Sequence, residues 1–258
     1  MTIHGSLRTV PTGLRCLSWL LLCLLSNTAW AVNAADLARF EQRLWEVRSD
    51  AHAYLVLDNA PRYRSATLAS IQALRHSLEQ LQDGATGSDQ SLLANQVAPK
   101  LRQYLIAADT SVRTGDESKR QYAVQDLTAL SYEIAALVAP LSAEGDNSDP
   151  IVALLRTAAQ VQQIGSEYLS LVASPAGGMA IGGEGNIDLN EAVPAMDRHL
   201  QTLKRRLQEP SATAALTEAE GKWRFIRESL MKFYDKSVPF LVQRYTEQIV
   251  DALQRGAV

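Results

Sequence analysis

Cysteine is nearly missing from this chain, and the position of the two that exist limits its chemistry. Cys16 and Cys23 both fall in the apolar stretch Cys16 to Leu25, CLSWLLLCLL. Arg8 and Arg15 precede that stretch and Ala29-Trp30-Ala31 follows it. This is the order of basic segment, apolar segment and small-residue cleavage site in a secretory signal peptide. Cleavage after Ala31 leaves a chain that starts at Val32 and holds no cysteine. That excludes disulfides, thiolate catalysis and cysteine-held metals together. Val32-Asn33-Ala34 is an alternative cleavage site. The apolar run is shorter than the roughly 20 residues a bilayer core requires, which favours cleavage; a retained anchor is the alternative. Neither cysteine follows the small residues that lipid attachment wants.

Other chemistry is missing too. The formal charge is −3; losing Arg8 and Arg15 with the leader makes the exported chain more acidic still. No basic face invites nucleic acid, and no polybasic cluster invites an anionic membrane. His52, His76 and His199 lie beyond the leader, and none forms a zinc-type pair with a second histidine. No Gly-x-Ser-x-Gly elbow is present. The glycines between 177 and 185 lack the lysine and the preceding strand of a phosphate loop. No cofactor, metal site or catalytic residue is therefore expected, and the reading is of a non-enzyme. β-branched residues are scattered, and no hairpin turn separates alternating runs.

What the sequence does contain is helical periodicity, used twice. Leu37, Phe40, Leu44, Val47, Ala51 and Tyr54 recur at one constant offset as Ile151, Leu154, Ala158, Val161, Gly165 and Tyr168. The 3-4-3-4-3 spacing describes one face of a helix. On this pattern Tyr54 and Tyr168 should be equivalent buried positions. Further stripes follow: Ile71, Leu74, Leu78 and Leu81; Val97, Leu101, Tyr104 and Ala108; Val124, Leu127, Ile134 and Leu137. The second half continues with Val193, Met196, Leu200, Leu203 and Leu207, then Leu216, Ala219, Trp223, Ile226, Leu230 and Phe233, then Leu241, Tyr245, Ile249 and Ala252. Trp45, Trp223 and Tyr245 are expected to anchor cores.

Prolines and polar runs punctuate the pattern. Pro61, Asp149-Pro150 and Pro239 suit first turns, with Ser237 as a cap before the last helix. Pro99 should kink its helix and Pro140 should end one. Residues 142–148 read as a linker and 174–186 as a glycine-rich loop. The fold is expected to be all-α: two tandem antiparallel four-helix bundles of up to eight helices after a signal peptide. The boundaries are 1–31 for the leader, 32–141 for the first bundle and 149–258 for the second.

One polar face stands out. Arg156, Gln160, Gln163 and Glu167 are spaced 4, 3 and 4 and share a side of the fifth helix, beside Gln162. Arg156, Gln160 and Gln163 are candidate contacts for a small polar or anionic ligand; a solvated helix surface is the plain alternative. The run from Arg156 to Leu169, RTAAQVQQIGSEYL, resembles the first helix of a PilJ/NarX-like module. This is the extracytoplasmic sensor of type IV pilus chemotaxis transducers and nitrate-sensing histidine kinases. That helix typically carries Gly-Arg-Gln-Arg-Met-Leu-Ser-Gln-Arg before Tyr-Leu. Arg156, Gln162 and Tyr168-Leu169 fall at matching positions, whereas Leu155, Ala158 and Gln163 replace the glycine and two of the arginines. Nitrate binding is not implied, because Ala158 stands where the anion-contacting arginine would be.

The resemblance implies a free-standing tandem of the sensory module. Such a protein would be periplasmic or secreted, would bind a small ligand and would act with a membrane receptor. The alternative is a structural or adaptor protein of the cell envelope that binds a protein partner and no small ligand. N-terminal sequencing of the protein from a periplasmic fraction is expected to begin at Val32 or within a few residues. An intact Met1 in the membrane fraction would remove the export reading.

Overall fold

The computed structural model describes residues 32–143, 149–174, 187–232 and 237–258. The leader, most of the 142–148 linker, the 174–186 loop from residue 175 to its end, and Phe233 lie outside the described residues. Residues Ala31–Val258 form one compact unit, and the fold is all-α. Its helices are α1 (Ala34–Val56), α2 (Pro61–Gly84), α3 (Gly87–Leu92), α4 (Ala98–Arg113), α5 (Glu117–Ala143), α6 (Pro150–Ala173), α7 (Leu189–Arg206), α8 (Pro210–Met231) and α9 (Pro239–Gly256). Among the described residues no helix is long and apolar enough to cross a membrane.

Each half of the chain builds a core. In the first, Phe40, Leu44 and Val47 of α1 meet Ile71 and Leu74 of α2, Leu101 and Tyr104 of α4, and Leu127 and Ile134 of α5. In the second, Leu154, Val161 and Tyr168 of α6 meet Met196 and Leu200 of α7, Leu216 and Trp223 of α8, and Ile249 and Leu253 of α9. Fully burying one such side chain is worth about 1.5–3 kcal/mol. Two buried rings also satisfy their polar atoms. Tyr104 donates to the Leu44 carbonyl at 2.6 Å, and the Trp223 indole donates to Asp197 at 2.8 Å.

Several helix ends follow from local chemistry. Asn33 caps α1 by accepting from the Ala35 amide at 2.8 Å, and Asp149 caps α6 by accepting from the Ile151 amide at 2.8 Å. Pro99 lacks the N–H that would close the turn before it. There the chain widens into a π-helical turn, Leu93–Val97, that joins α3 to α4 without a break. Pro140 does not end α5, which runs on to Ala143. Pro140 and Ala136 are both exposed, so the carbonyl freed by the proline can meet water while buried Leu141 holds the last turn.

Several expected positions are displaced, among them Val124 and Leu137 of α5, which are only half-buried. α9 buries Val242, Thr246, Ile249 and Leu253, while Leu241 is exposed and Tyr245 only half-buried. α9 packs against α1, α6 and α8 at once, which rotates its buried side one residue along. Its cap position is Val238 rather than Ser237. The two tyrosines also differ. Tyr168 is fully buried and its hydroxyl accepts from the Val238 amide at 2.7 Å. Tyr54 is half-buried and packs on the second core. It stands in the last turn of α1, where the chain leaves the helix through Asp58 and Asn59.

The two seam helices lie side by side and run in the same direction. α9 runs opposite to both. It meets α1 through Gln254 on Gln42 at 3.2 Å and Gln243 on Ser49 at 2.7 Å. It meets α6 where Thr246 abuts Gly165 and Gly256 abuts Leu154. A Cβ at Gly165 would come within 2.6 Å of Thr246, so only glycine allows this approach. Between α1 and α6 lies a buried ion pair. Arg48 Nη2 donates to Glu167 at 3.0 Å, and Arg48 Nη1 donates to the Tyr132 hydroxyl at 3.2 Å. Tyr132 in turn donates to Glu167. The guanidinium also lies 5.7 Å from the Trp45 ring and 5.0 Å from the Tyr132 ring. Burial pushes the Tyr132 hydroxyl up to about 12, which keeps it a donor.

Removing one member of such a pair leaves an uncompensated buried charge. Glu167→Leu is expected to cost about 3–5 kcal/mol in urea unfolding. Adding Arg48→Met to the same chain should recover most of that loss. A Glu167→Leu protein as stable as the original would show that the pair contributes nothing at this joint.

Candidate functional site

The polar face of α6 is real but narrow. The helix is buried on nearly all sides, and its exposed or half-buried positions reduce to a line that includes Arg156, Gln160 and Gln163. Arg156 Nη2 donates to the Ser142 carbonyl at 2.6 Å, and the Ser142 hydroxyl donates to Glu41 at 2.8 Å. Arg156 thus fastens the end of α5 to α6 and, through Ser142, to α1. Burial raises the Glu41 pKa, against the Ser142 hydrogen bond and the Arg156 charge. Gln160 is exposed and Gln163 half-buried. Gln162 is buried, and its amide nitrogen has no hydrogen-bond partner among the described residues. Glu167, at the end of the same face, is committed to Arg48.

A concave site lies elsewhere, between α2 and α9. It is an open groove of about 340 Å³ lined by Arg62, Tyr63 and Ala66 of α2 and by Phe240, Gln243, Arg244 and Glu247 of α9. None of Arg156, Gln160 and Gln163 lines it. The groove exists because two helices begin beside each other. α2 starts at Pro61 and α9 at Pro239, and neither has a side-chain cap. The turn that delivers α2 uses Asp58 at φ 58° and Asn59 at φ 53°, and these residue types tolerate left-handed backbone best after glycine. Arg62 then lies 4.4 Å over the Tyr63 ring and 5.2 Å over the Phe240 ring, and donates to the Tyr63 hydroxyl at 2.6 Å.

The floor of the groove is a buried polar cluster. Gln243 accepts from the Ser49 hydroxyl at 2.7 Å, and donates to Asp50 at 3.2 Å and to Glu247 at 2.8 Å. Asp50 is buried. Its pKa is pushed well above the usual carboxylate range by burial and by the Glu46 and Glu247 carboxylates; hydrogen bonds from Ser70 and Gln243 oppose this. Burial also raises Glu247, against the Gln243 bond and the Arg62 charge. One side chain of α9 thereby holds two residues of α1.

Two of the histidines, His52 and His199, are tied to neighbouring helix groups. His52 is buried with Nδ1 2.7 Å from the Arg48 carbonyl, so that nitrogen carries the hydrogen. Burial, and then the Arg48 charge, lower its pKa to about 3. His199 meets the Thr157 hydroxyl at 3.0 Å, and His76 sits at the surface 3.5 Å from Glu79. Among the described residues no three of His, Cys, Asp and Glu gather as a metal site. No protein-family model, curated protein or solved structure matches this chain.

Asp50 gives the site a pH signature. Its folded pKa lies above the ordinary 3.8, so its contribution is fully present below that value and is lost as pH rises through the folded pKa. His52 acts in the other direction. Its folded pKa lies below the ordinary 6.5, so its contribution is present above 6.5 and lost as pH falls toward 3. Asp50→Asn keeps an acceptor for Gln243 and removes only the first effect. The variant is expected to melt above the original at pH 8, with the gap closing toward pH 4. A constant gap across that range would show that Asp50 ionisation does not load the folded state.

Proposed function

We propose that this is a secreted or periplasmic sensory protein without enzymatic activity, which binds a small ligand and passes its state to a membrane receptor. The observation that carries the reading is the position of the groove. Its walls come from α2 in the first half and α9 in the second, and its floor residue, Gln243, holds Ser49 and Asp50 of α1. A ligand seated there contacts both halves and the residue that joins them. Differential contact of this kind is what lets a ligand bias one arrangement of packed helices over another. An all-α chain with paired seams is also the architecture that the sensory-module resemblance implies.

A second reading, a structural or adaptor protein of the envelope, draws on one surface feature. Phe225 of α8 is 58 % exposed, yet stacks on Tyr245 of α9 at 4.6 Å, and exposed Leu241 lies one turn from Tyr245. Such a patch suits a protein partner.

A thermal-shift screen with amino acids, organic acids, sugars, nucleotides and inorganic anions separates the two readings. A ligand that binds only the folded state stabilises it by about 2.7 kcal/mol at a hundred times its Kd. A saturable rise in melting temperature that Gln243→Ala weakens is the expected result. No rise with any class, alongside capture of an envelope protein by cross-linking at Phe225, would replace the sensory reading with the adaptor one.

A further inference from the structure

We infer that the groove between α2 and α9 is a site for a small organic monocarboxylate with a flat apolar body, held by Arg62 and Arg244 against Tyr63 and Phe240. The inference rests on the sensory reading and names the ligand class for the same groove.

Charge is the first argument. Among the described residues neither Arg62 nor Arg244 makes an ion pair, whereas Arg39, Arg43, Arg113, Arg224, Arg227 and Arg255 do. Glu247 lines the same groove but accepts from Gln243 rather than from either guanidinium. Two guanidinium groups without an ion-pair partner thus line one concave surface, Arg62 with one nitrogen on the Tyr63 hydroxyl. Guanidinium matches a carboxylate through paired N–H bonds. The first turns of α2 and α9 reach the lining at Arg62, Tyr63 and Phe240, and their uncapped amides add positive potential on the same side.

The lining also decides against other anions. Glu247 stands in the wall, and Asp50 lies behind Gln243. Each repels an anion in proportion to its charge, so a dianion such as phosphate loses about twice what a monocarboxylate loses. Raised pKa values at both acids soften that repulsion without removing it. Tyr63, Phe240 and Ala66 supply flat or small apolar surface, which a hydrated inorganic ion would leave unused. A volume of about 340 Å³ stands at the lower end for small-molecule sites, which suits a single ring or a short chain. Arg62 already stacks on Tyr63 and Phe240, so its guanidinium is oriented before any ligand arrives, which lowers the ordering cost of binding.

Isothermal titration of the purified protein with benzoate, benzamide and inorganic phosphate tests the inference. Benzamide keeps the ring and loses the charge; phosphate keeps the charge and loses the ring. Saturable benzoate binding is expected, with benzamide and phosphate at least tenfold weaker. Arg244→Gln and Arg62→Gln should each weaken benzoate at least tenfold, with the free Arg244→Gln protein melting as the original does. Arg255→Gln, which removes a surface pair with Glu218, should bind benzoate as the original does. Three results would overturn the inference: no saturation up to about 10 mM benzoate, equal affinity for benzoate and either comparison compound, or an Arg244→Gln protein that binds benzoate unchanged. If the broader screen finds another class of ligand while benzoate fails, only this inference falls. If no small molecule binds at all, the sensory reading falls with it.

Discussion

The Arg48–Glu167 pair sets the terms for the rest of the molecule. Two charges taken from water cost several kcal/mol each unless geometry and further hydrogen bonds offset the loss. Here the offset is spread over Tyr132, which lies between α1 and α6 as a third partner, and over the ring faces of Trp45 and Tyr132. The pair therefore holds only when α1, α5 and α6 sit together at one height. That requirement explains why α1 is buried on every side around its middle, with Arg48, Ser49, Asp50 and His52 all inside. A helix so enclosed can hold polar groups only if each finds a partner, and each of these four has one.

The groove inherits its shape from the same enclosure. α9 lies against α1 through Gln42, Ser49 and Asp50, and against α6 through Gly165. Its axis is fixed along most of its length by these contacts. The start of the helix projects past them, beside the start of α2, and the space between the two starts is what remains open. The groove is thus a consequence of how the two halves meet. Its electrostatics follow as well, since Asp50 of α1 lies behind Gln243, Glu247 of α9 stands in the wall and Arg62 and Arg244 line it.

Much of this architecture was legible in the sequence, and the illegible parts share a cause. The apolar stripes of α2, α4, α7 and α8 were readable because each helix buries one face, so periodicity and burial coincide. Asp149 and Pro150 marked a helix start because capping is local chemistry. Pro140 misled because the cost of a proline depends on whether the freed carbonyl meets water, which no local pattern states. The burial of Arg48, Asp50, His52 and Glu167 was hidden because a charged residue opposite an apolar stripe ordinarily faces solvent. α1 breaks that rule by contributing to both cores, and α6 by packing its other side on α1. The groove joins residues far apart in the chain, and the sequence signal nearest to it was only that Pro61 and Pro239 each begin a helix.

A recurring apolar spacing creates a problem that the polar residues resolve. α1 and α6 carry similar apolar faces, so apolar packing alone distinguishes poorly between the two helices or between neighbouring registers of the pair. The polar positions are not duplicated. Gln162 stands in α6 where Arg48 stands in α1, and Ala53 stands in α1 where Glu167 stands in α6. An exchanged pairing would place Arg48 without a carboxylate and Glu167 without a cation, each at the full cost of a buried unpaired charge. Gly165 adds a steric condition, because Ala51 at the equivalent place in α1 carries the Cβ that Thr246 would not admit. On this argument the ion pair contributes less to net stability than to selecting one arrangement of two helices with the same apolar spacing. α9 and the groove it borders follow from that selection.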